Sequence, residues 1–190
     1  EKIESDKNVL FIYDNNVDKN LVNEIYEELK LSEYNIFNFK CIGKKVNKNE
    51  KLLFQIINLL LNKKFTKRSI IISFGGGVVG DVAALASSLY LRGLYYYCIP
   101  STMTAIIDSS IGGKTAINYK GIINSIGTYY HPKNVFILEK VISNLPEREF
   151  NAGIAEIIKC GVIDNNSILN FLEKNKKNII SRKNSIIFKI

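Results

Sequence analysis

The sequence is poor in the residues that build cross-linked or metal-stapled folds: 3 cysteines, 1 histidine and 3 prolines in 190 residues. Cys41, Cys98 and Cys160 are odd in number, widely spaced and without any C-x-x-C pairing. That excludes a disulfide frame and reads as reduced thiols in a cytosol-like compartment. With His131 as the sole imidazole, no finger-type Cys/His spacing exists. The apolar runs stop far short of the roughly 20 residues that a membrane span takes, and nothing at the N-terminus resembles a signal peptide. A soluble, cytoplasmic protein with no membrane partner is the expectation.

Charge of one sign is in excess, with Lys+Arg 26 against Asp+Glu 18 and a net charge of +8. The lysines are scattered among asparagines and isoleucines, above all before residue 70 and after residue 164. Such a mixture arises from a biased genome without any partner, and no RNA-binding aromatic signature accompanies it, so no nucleic acid is expected. A basic pocket for a phosphorylated or carboxylated small molecule stays open. The 46% hydrophobic content, with 11% aromatics, suffices for a buried core and excludes wholesale disorder.

The patterning predicts an α/β fold, a parallel sheet with helices on both faces. NVLFIY at Asn8–Tyr13 is a continuous apolar run, as in a strand covered on both sides. Apolar positions at helical spacing follow over Leu21–Leu31, then a weak strand at Asn35–Phe39, a helix over Leu52–Leu61 and a strand at Ile70–Phe74. A helix is expected over Asp81–Leu91, a strand over Tyr95–Pro100 and, after a long loop, another over Asn134–Leu138. From Pro146 onward helix-forming stretches dominate. The boundary therefore falls near residue 147: a nucleotide-binding α/β domain over 1–147, then over 148–190 the first helices of an all-helical domain.

Between the third strand and its helix lies SFGGGVVGD, whose Gly75, Gly77 and Gly80 satisfy G-x-G-x-x-G. Such a turn directs free N–H groups and the positive end of a helix dipole at one spot, which suits a pyrophosphate. Glycine also permits close backbone approach and φ > 0. Any tight turn between strand and helix favours glycine, so the spacing alone does not decide. Two features depart from an ordinary dinucleotide fingerprint. The turn follows a middle strand, and no acidic residue stands about 20 positions on, where the sequence reads YYYCIPST. A second block, DSSIGGKT at Asp108–Thr115, imitates the end of a P-loop, but the required first glycine is Asp108. It leaves a carboxylate, hydroxyls and a lysine in one loop, fit either for a polar ligand or for a solvated turn.

Taken together, GGGVVGD (75–81), YLRG (90–93), IPST (99–102), DSSIGGKTAIN (108–118) and REFNAGIAEIIK (148–159) strongly resemble the 3-dehydroquinate synthase family. The resemblance is close over residues 69–164 and weaker back to Asp14. It implies NAD, zinc or cobalt, and a sugar-acid phosphate (3-deoxy-D-arabino-heptulosonate 7-phosphate) in a cleft between an α/β and a helical domain. That substrate becomes 3-dehydroquinate plus phosphate, a step of the shikimate pathway leading to aromatic amino acids. By position, the resemblance assigns Asp14, Asn16 and Lys48 to the NAD adenosine. Gly76, Gly77 and Asp81 go to the pyrophosphate, with Ser101 and Thr102 nearby. Asp108, Lys114 and Asn124 are assigned to the shared NAD and substrate region, Lys159 to substrate and Glu156 to the metal. Arg92 matches an arginine that enters the neighbouring subunit, which implies a homodimer. Without the resemblance, Glu156 and Lys159 at i and i+3 equally read as a surface ion pair.

The sequence also departs from that family. An active-site lysine is replaced by Ile123, with Lys120 able to stand in only through a shifted loop. An acidic residue is replaced by Lys45, and a threonine by Asn144. The two zinc histidines have no counterpart, and His131 reads as a loop residue. The 190 residues are therefore expected to be the N-terminal piece of a synthase, or a degenerate remnant, inactive as they stand. A related metal-dependent polyol or alcohol dehydrogenase and a non-catalytic NAD-binding module are the alternatives.

Overall fold

The computed structural model describes residues 8–31, 34–187 and 189. The outermost residues of the two expected domains, 1–7 and 190, lie outside the described residues. In chain order come β1 (Asn8–Asp14), α1 (Lys19–Leu31), β2 (Asn35–Cys41), α2 (Glu50–Asn62), β3 (Ile70–Gly75), α3 (Gly77–Leu89), β4 (Tyr95–Pro100), β5 (Lys114–Tyr119), β6 (Ile122–Tyr129) and β7 (Asn134–Val135). The helices α4 (Glu139–Ser143), α5 (Glu147–Ile163), α6 (Asn166–Lys174), α7 (Lys176–Ile180) and α8 (Asn184–Ile187) follow.

Five strands form a parallel sheet in the order β2-β1-β3-β4-β7. Alternate side chains of each strand enter opposite faces. Leu10, Ile12, Ile71, Tyr96 and Cys98 pack against Leu53, Ile56 and Leu60 of α2 and Val79, Val82 and Leu85 of α3. Phe11, Phe74 and Ile99 pack the other way, against Leu21 and Ile25 of α1 and Val141 of α4. Each central strand is thus buried on both sides, which is why NVLFIY and SIIISF carry no polar alternation. A separate cluster of Met103, Ile106, Leu145, Phe150, Ile157 and Ile179 ties α5 and α7 to the segment after β4. No described helix is long and apolar enough to cross a membrane.

The structure alters three sequence expectations. The helix predicted over Asp81–Leu91 begins at Gly77 and ends at Leu89, because Leu91 (φ 49°) and Arg92 (φ 65°) are left-handed and a helix cannot pass through them. The strand predicted over Asn134–Leu138 pairs only through Asn134 and Val135. The long loop contains an antiparallel hairpin, β5–β6, closed by left-handed Lys120 (φ 46°) and Gly121 (φ 81°). All of β6 is exposed, so no buried face imprinted an alternation on its sequence.

Candidate functional site

β1 and β3 are neighbours, yet α1 leaves β1 over one face of the sheet and α3 leaves β3 over the other. The chain diverges there, and a crevice opens beyond the carboxyl ends of the strands, the usual place for a ligand in an open α/β sheet. The crevice is a cleft of 660 Å³. Asp14 enters it at the end of β1 and Asn16 just after, Gly43 and Lys45 after β2, Gly76 and Gly77 after β3, and Ser101 and Thr102 after β4. Six of the residues assigned to NAD by the resemblance therefore share one wall system.

Gly76 is the N-cap of α3 and offers no side-chain cap, so the first N–H groups of the helix are left for the cleft. Together with the helix dipole they form an anion site. The glycines of this turn are not left-handed; among the described residues, positive φ at glycine occurs at Gly93, Gly113 and Gly121. The expected use of φ > 0 is thus corrected. Close approach is the reason: a Cβ on Gly75 would lie 2.7 Å from Cβ of Val79, and one on Gly76 would lie 3.2 Å from Cγ2 of Thr102. The Asp14 carboxylate accepts the Asn16 N–H at 3.1 Å and lies against Gly43, where any side chain would strike it. Gly43 escaped the sequence reading; a glycine two residues past the end of a strand was the available signal.

Behind the turn sits a second cluster. Lys48 Nζ forms an ion pair with Asp81, in the first turns of α3, and donates to Asn124 Oδ1 at 2.6 Å, reaching across to β6. Burial raises the Asp81 carboxyl above its ordinary range, and the Lys48 ammonium opposes that rise. Beneath them Ser73 Oγ and Tyr96 OH share a hydrogen bond of 2.8 Å, and Tyr96 OH lies 3.2 Å from the Gly80 carbonyl, to which it donates. Burial pushes the Tyr96 phenol well above its usual range, so it stays a neutral donor at any physiological pH. Asp81 and Lys114 line one small enclosed space with Gly76 and Ser109. Asp108 is exposed, and its charge raises both Asp81 and Lys159, so the segment after β4 stands within electrostatic reach of α3 and of α5.

The remaining assigned residues stand apart. Glu156 and Lys159 pair with each other on α5, and that bond to Glu156 holds the Lys159 ammonium high. Among the described residues no group of three or more His, Cys, Asp or Glu side chains assembles to hold a metal. One carboxylate already engaged by a lysine is a poor fit to zinc, which takes three protein ligands at a catalytic site. His131 is an exposed loop residue packed on Gly113. Arg92 is exposed on the left-handed turn after α3 and lines neither space. Ile123 is 76% exposed, and Lys120 sits at the hairpin turn with its ammonium 5.6 Å from the centre of the Tyr119 ring.

Residues 39–152 match the family model described as 3-dehydroquinate synthase N-terminal. Over 161 residues the chain is 45% identical to the 3-dehydroquinate synthase of Dictyoglomus thermophilum, covering 85% of this chain and 45% of that protein. It spans about half the length of the curated relatives it matches. A 2-deoxy-scyllo-inosose synthase, solved with carbaglucose-6-phosphate, NAD+ and Co2+, superposes with a TM-score of 0.75 at 26% identity, over 82% of this chain and 43% of that one. The 2-epi-5-epi-valiolone synthase of Streptomyces hygroscopicus subsp. jinggangensis 5008, solved with NAD+ and Zn2+, gives 0.76 at 25% identity, over 92% and 49%. An iron-containing alcohol dehydrogenase of Thermotoga maritima, at 13% identity and a TM-score of 0.65 over 77% of this chain and 44% of that one, shares the fold alone. Sheet, glycine turn and sequence agree, and the chain belongs to the 3-dehydroquinate synthase family.

Proposed function

We propose that this chain is the cofactor-holding half of a 3-dehydroquinate synthase, a carbon–oxygen lyase that converts 3-deoxy-D-arabino-heptulosonate 7-phosphate to 3-dehydroquinate and phosphate. The observation that carries this reading is the uncapped N-terminus of α3, which opens into a cleft at the switch point of the sheet. The donor set fits a dinucleotide. The first N–H groups of α3, with Gly76 and Gly77, take the pyrophosphate, while Asp14 and Asn16 face the adenosine and Ser101 and Thr102 close the far wall. Bound NAD supplies a transient hydride acceptor for a ring hydroxyl. Lys48 orients Asn124 and Asp81 through its paired contacts, and Lys114 and Asp108 face the shared substrate region. Lys159, exposed on α5, offers a cation to the carboxylate or phosphate of the substrate.

Residues 1–147 are read as the NAD-binding domain and 148–190 as the first helices of the helical one. Glu156 offers one carboxylate toward zinc or cobalt, and the described residues do not complete that site. Arg92 is read as reaching into a second subunit, giving a homodimer working in the cytoplasm.

Calorimetry with NAD tests the cofactor reading: a saturable heat is expected, and none would leave a scaffold. Phosphate release from the keto-acid phosphate by this chain alone, given NAD and zinc, is expected to be absent. Steady NADH formation from a simple alcohol would favour a dehydrogenase instead.

A further inference from the structure

Asn118, the last residue of the DSSIGGKTAIN block, lines neither space around α3, yet three hydrogen bonds meet at it. Its backbone N–H donates to the Lys48 carbonyl at 2.8 Å, and its side-chain amide donates to the Lys45 carbonyl at 3.3 Å. Its side-chain carbonyl accepts the Asn124 N–H at 2.9 Å. The backbone bond to Lys48 is part of a parallel bridge between Asn49 and Asn118. The β5–β6 register slips between Ile117 and Tyr119, where Asn118 alone faces the longer stretch Ile123–Ser125 of β6, so the bulge lies on β6 around Asn124. The two segments it grips are those whose side chains meet, Lys48 Nζ on Asn124 Oδ1 at 2.6 Å. Asn124 is left-handed (φ 53°), a conformation asparagine tolerates better than most residues, and the bond to Asn118 holds it there.

We infer that Asn118 is a positioning residue for the cofactor site: it clamps the Lys45–Asn49 loop to the β5–β6 hairpin so that Lys48 is held between Asp81 and Asn124. For NAD affinity the inference rests on the function proposed above; for the geometry of Lys48 it does not. Asn118 itself touches no ligand. Its amide satisfies one donor and one acceptor at once, which neither alanine nor a purely apolar side chain can do.

The test uses the 190-residue chain and two readouts. In the ligand-free chain the Asp81 carboxyl is titrated by carbon NMR. Asn118→Ala frees Lys48, so the Asp81 midpoint rises by at least half a pH unit. Asn118→Leu, close to asparagine in shape, lacks donor and acceptor alike and raises the midpoint as alanine does, which also serves if the alanine variant does not fold. By calorimetry, Asn118→Ala weakens NAD binding about tenfold in the parent chain and less than twofold in a Lys48→Met background, because the clamp acts through Lys48. An Asp81 midpoint unmoved by both substitutions overturns the inference, as does an equal NAD loss in both backgrounds. A shifted midpoint in a chain that gives no heat with NAD upholds the clamp and removes the cofactor reading alone.

Discussion

Lys48 and Asp81 form an ion pair with side chains 11% and 15% exposed, although one belongs to the loop before α2 and the other to the second turn of α3. Asn124 takes another of the three ammonium hydrogens of Lys48. Removing the lysine strands a carboxylate in a low-dielectric site. Lys48→Met is expected to lower stability by about 3 kcal/mol, the scale for breaking a buried pair from one side. Urea unfolding checks this; a loss within the scatter of exposed ion pairs would show that the pair is solvated.

The Asp81 titration predicts a pH dependence. Burial raises its carboxyl above the ordinary 3.8. Folded Asp81 therefore takes a proton more readily than it does in the unfolded chain. Its contribution to stability is full below pH 3.8 and is lost as the pH climbs through the folded midpoint. Asp81→Asn has no such loss. The stability of that variant relative to the parent should therefore improve from pH 3.8 toward neutrality, on top of a constant offset for the unpaired Lys48. Urea midpoints across that window measure the slope, and a difference flat in pH contradicts it.

The three thiols should separate by burial. Burial pushes Cys41 up to about 12 and raises Cys98 as well, whereas Cys160 is exposed on α5. An aromatic disulfide reagent at pH 8 is expected to label Cys160 fast and the other two only after denaturation. Fast labelling that survives Cys160→Ser would mean that β2 or β4 opens readily.

Gly43→Ala places a Cβ in the space of the Asp14 carboxylate and 3.2 Å from a Val79 methyl. The backbone there is not left-handed, so the substitution acts through crowding alone. Expected are a stability loss of about 1–3 kcal/mol, as for overpacking, and a fall in NAD affinity of about tenfold as Asp14 turns away. Unchanged affinity in a folded variant would remove Asp14 from the adenosine site.

The sheet was legible because a strand buried on both faces must be largely apolar, and NVLFIY and SIIISF are. The glycine turn was legible as a turn, but the physical need for its glycines, contact with Val79 and Thr102, is tertiary and left no local trace. The hairpin was invisible for the opposite reason: Ile122, Ile123 and Ile126 are exposed, so their hydrophobicity reports no core. Of the site residues, those following β1, β3 and β4 were found by motif order. Gly43 and Asn118 were missed because their roles exist only once distant segments have met.

That distance has a temporal consequence. Lys48 and Asn124 are 76 residues apart in the chain. At about 5–20 residues per second, synthesis delivers the second roughly 4–15 s after the first. A nascent chain halted just before Ile122 already carries β1 to β4 and the whole glycine turn, yet the ammonium of Lys48 still lacks one of its two partners.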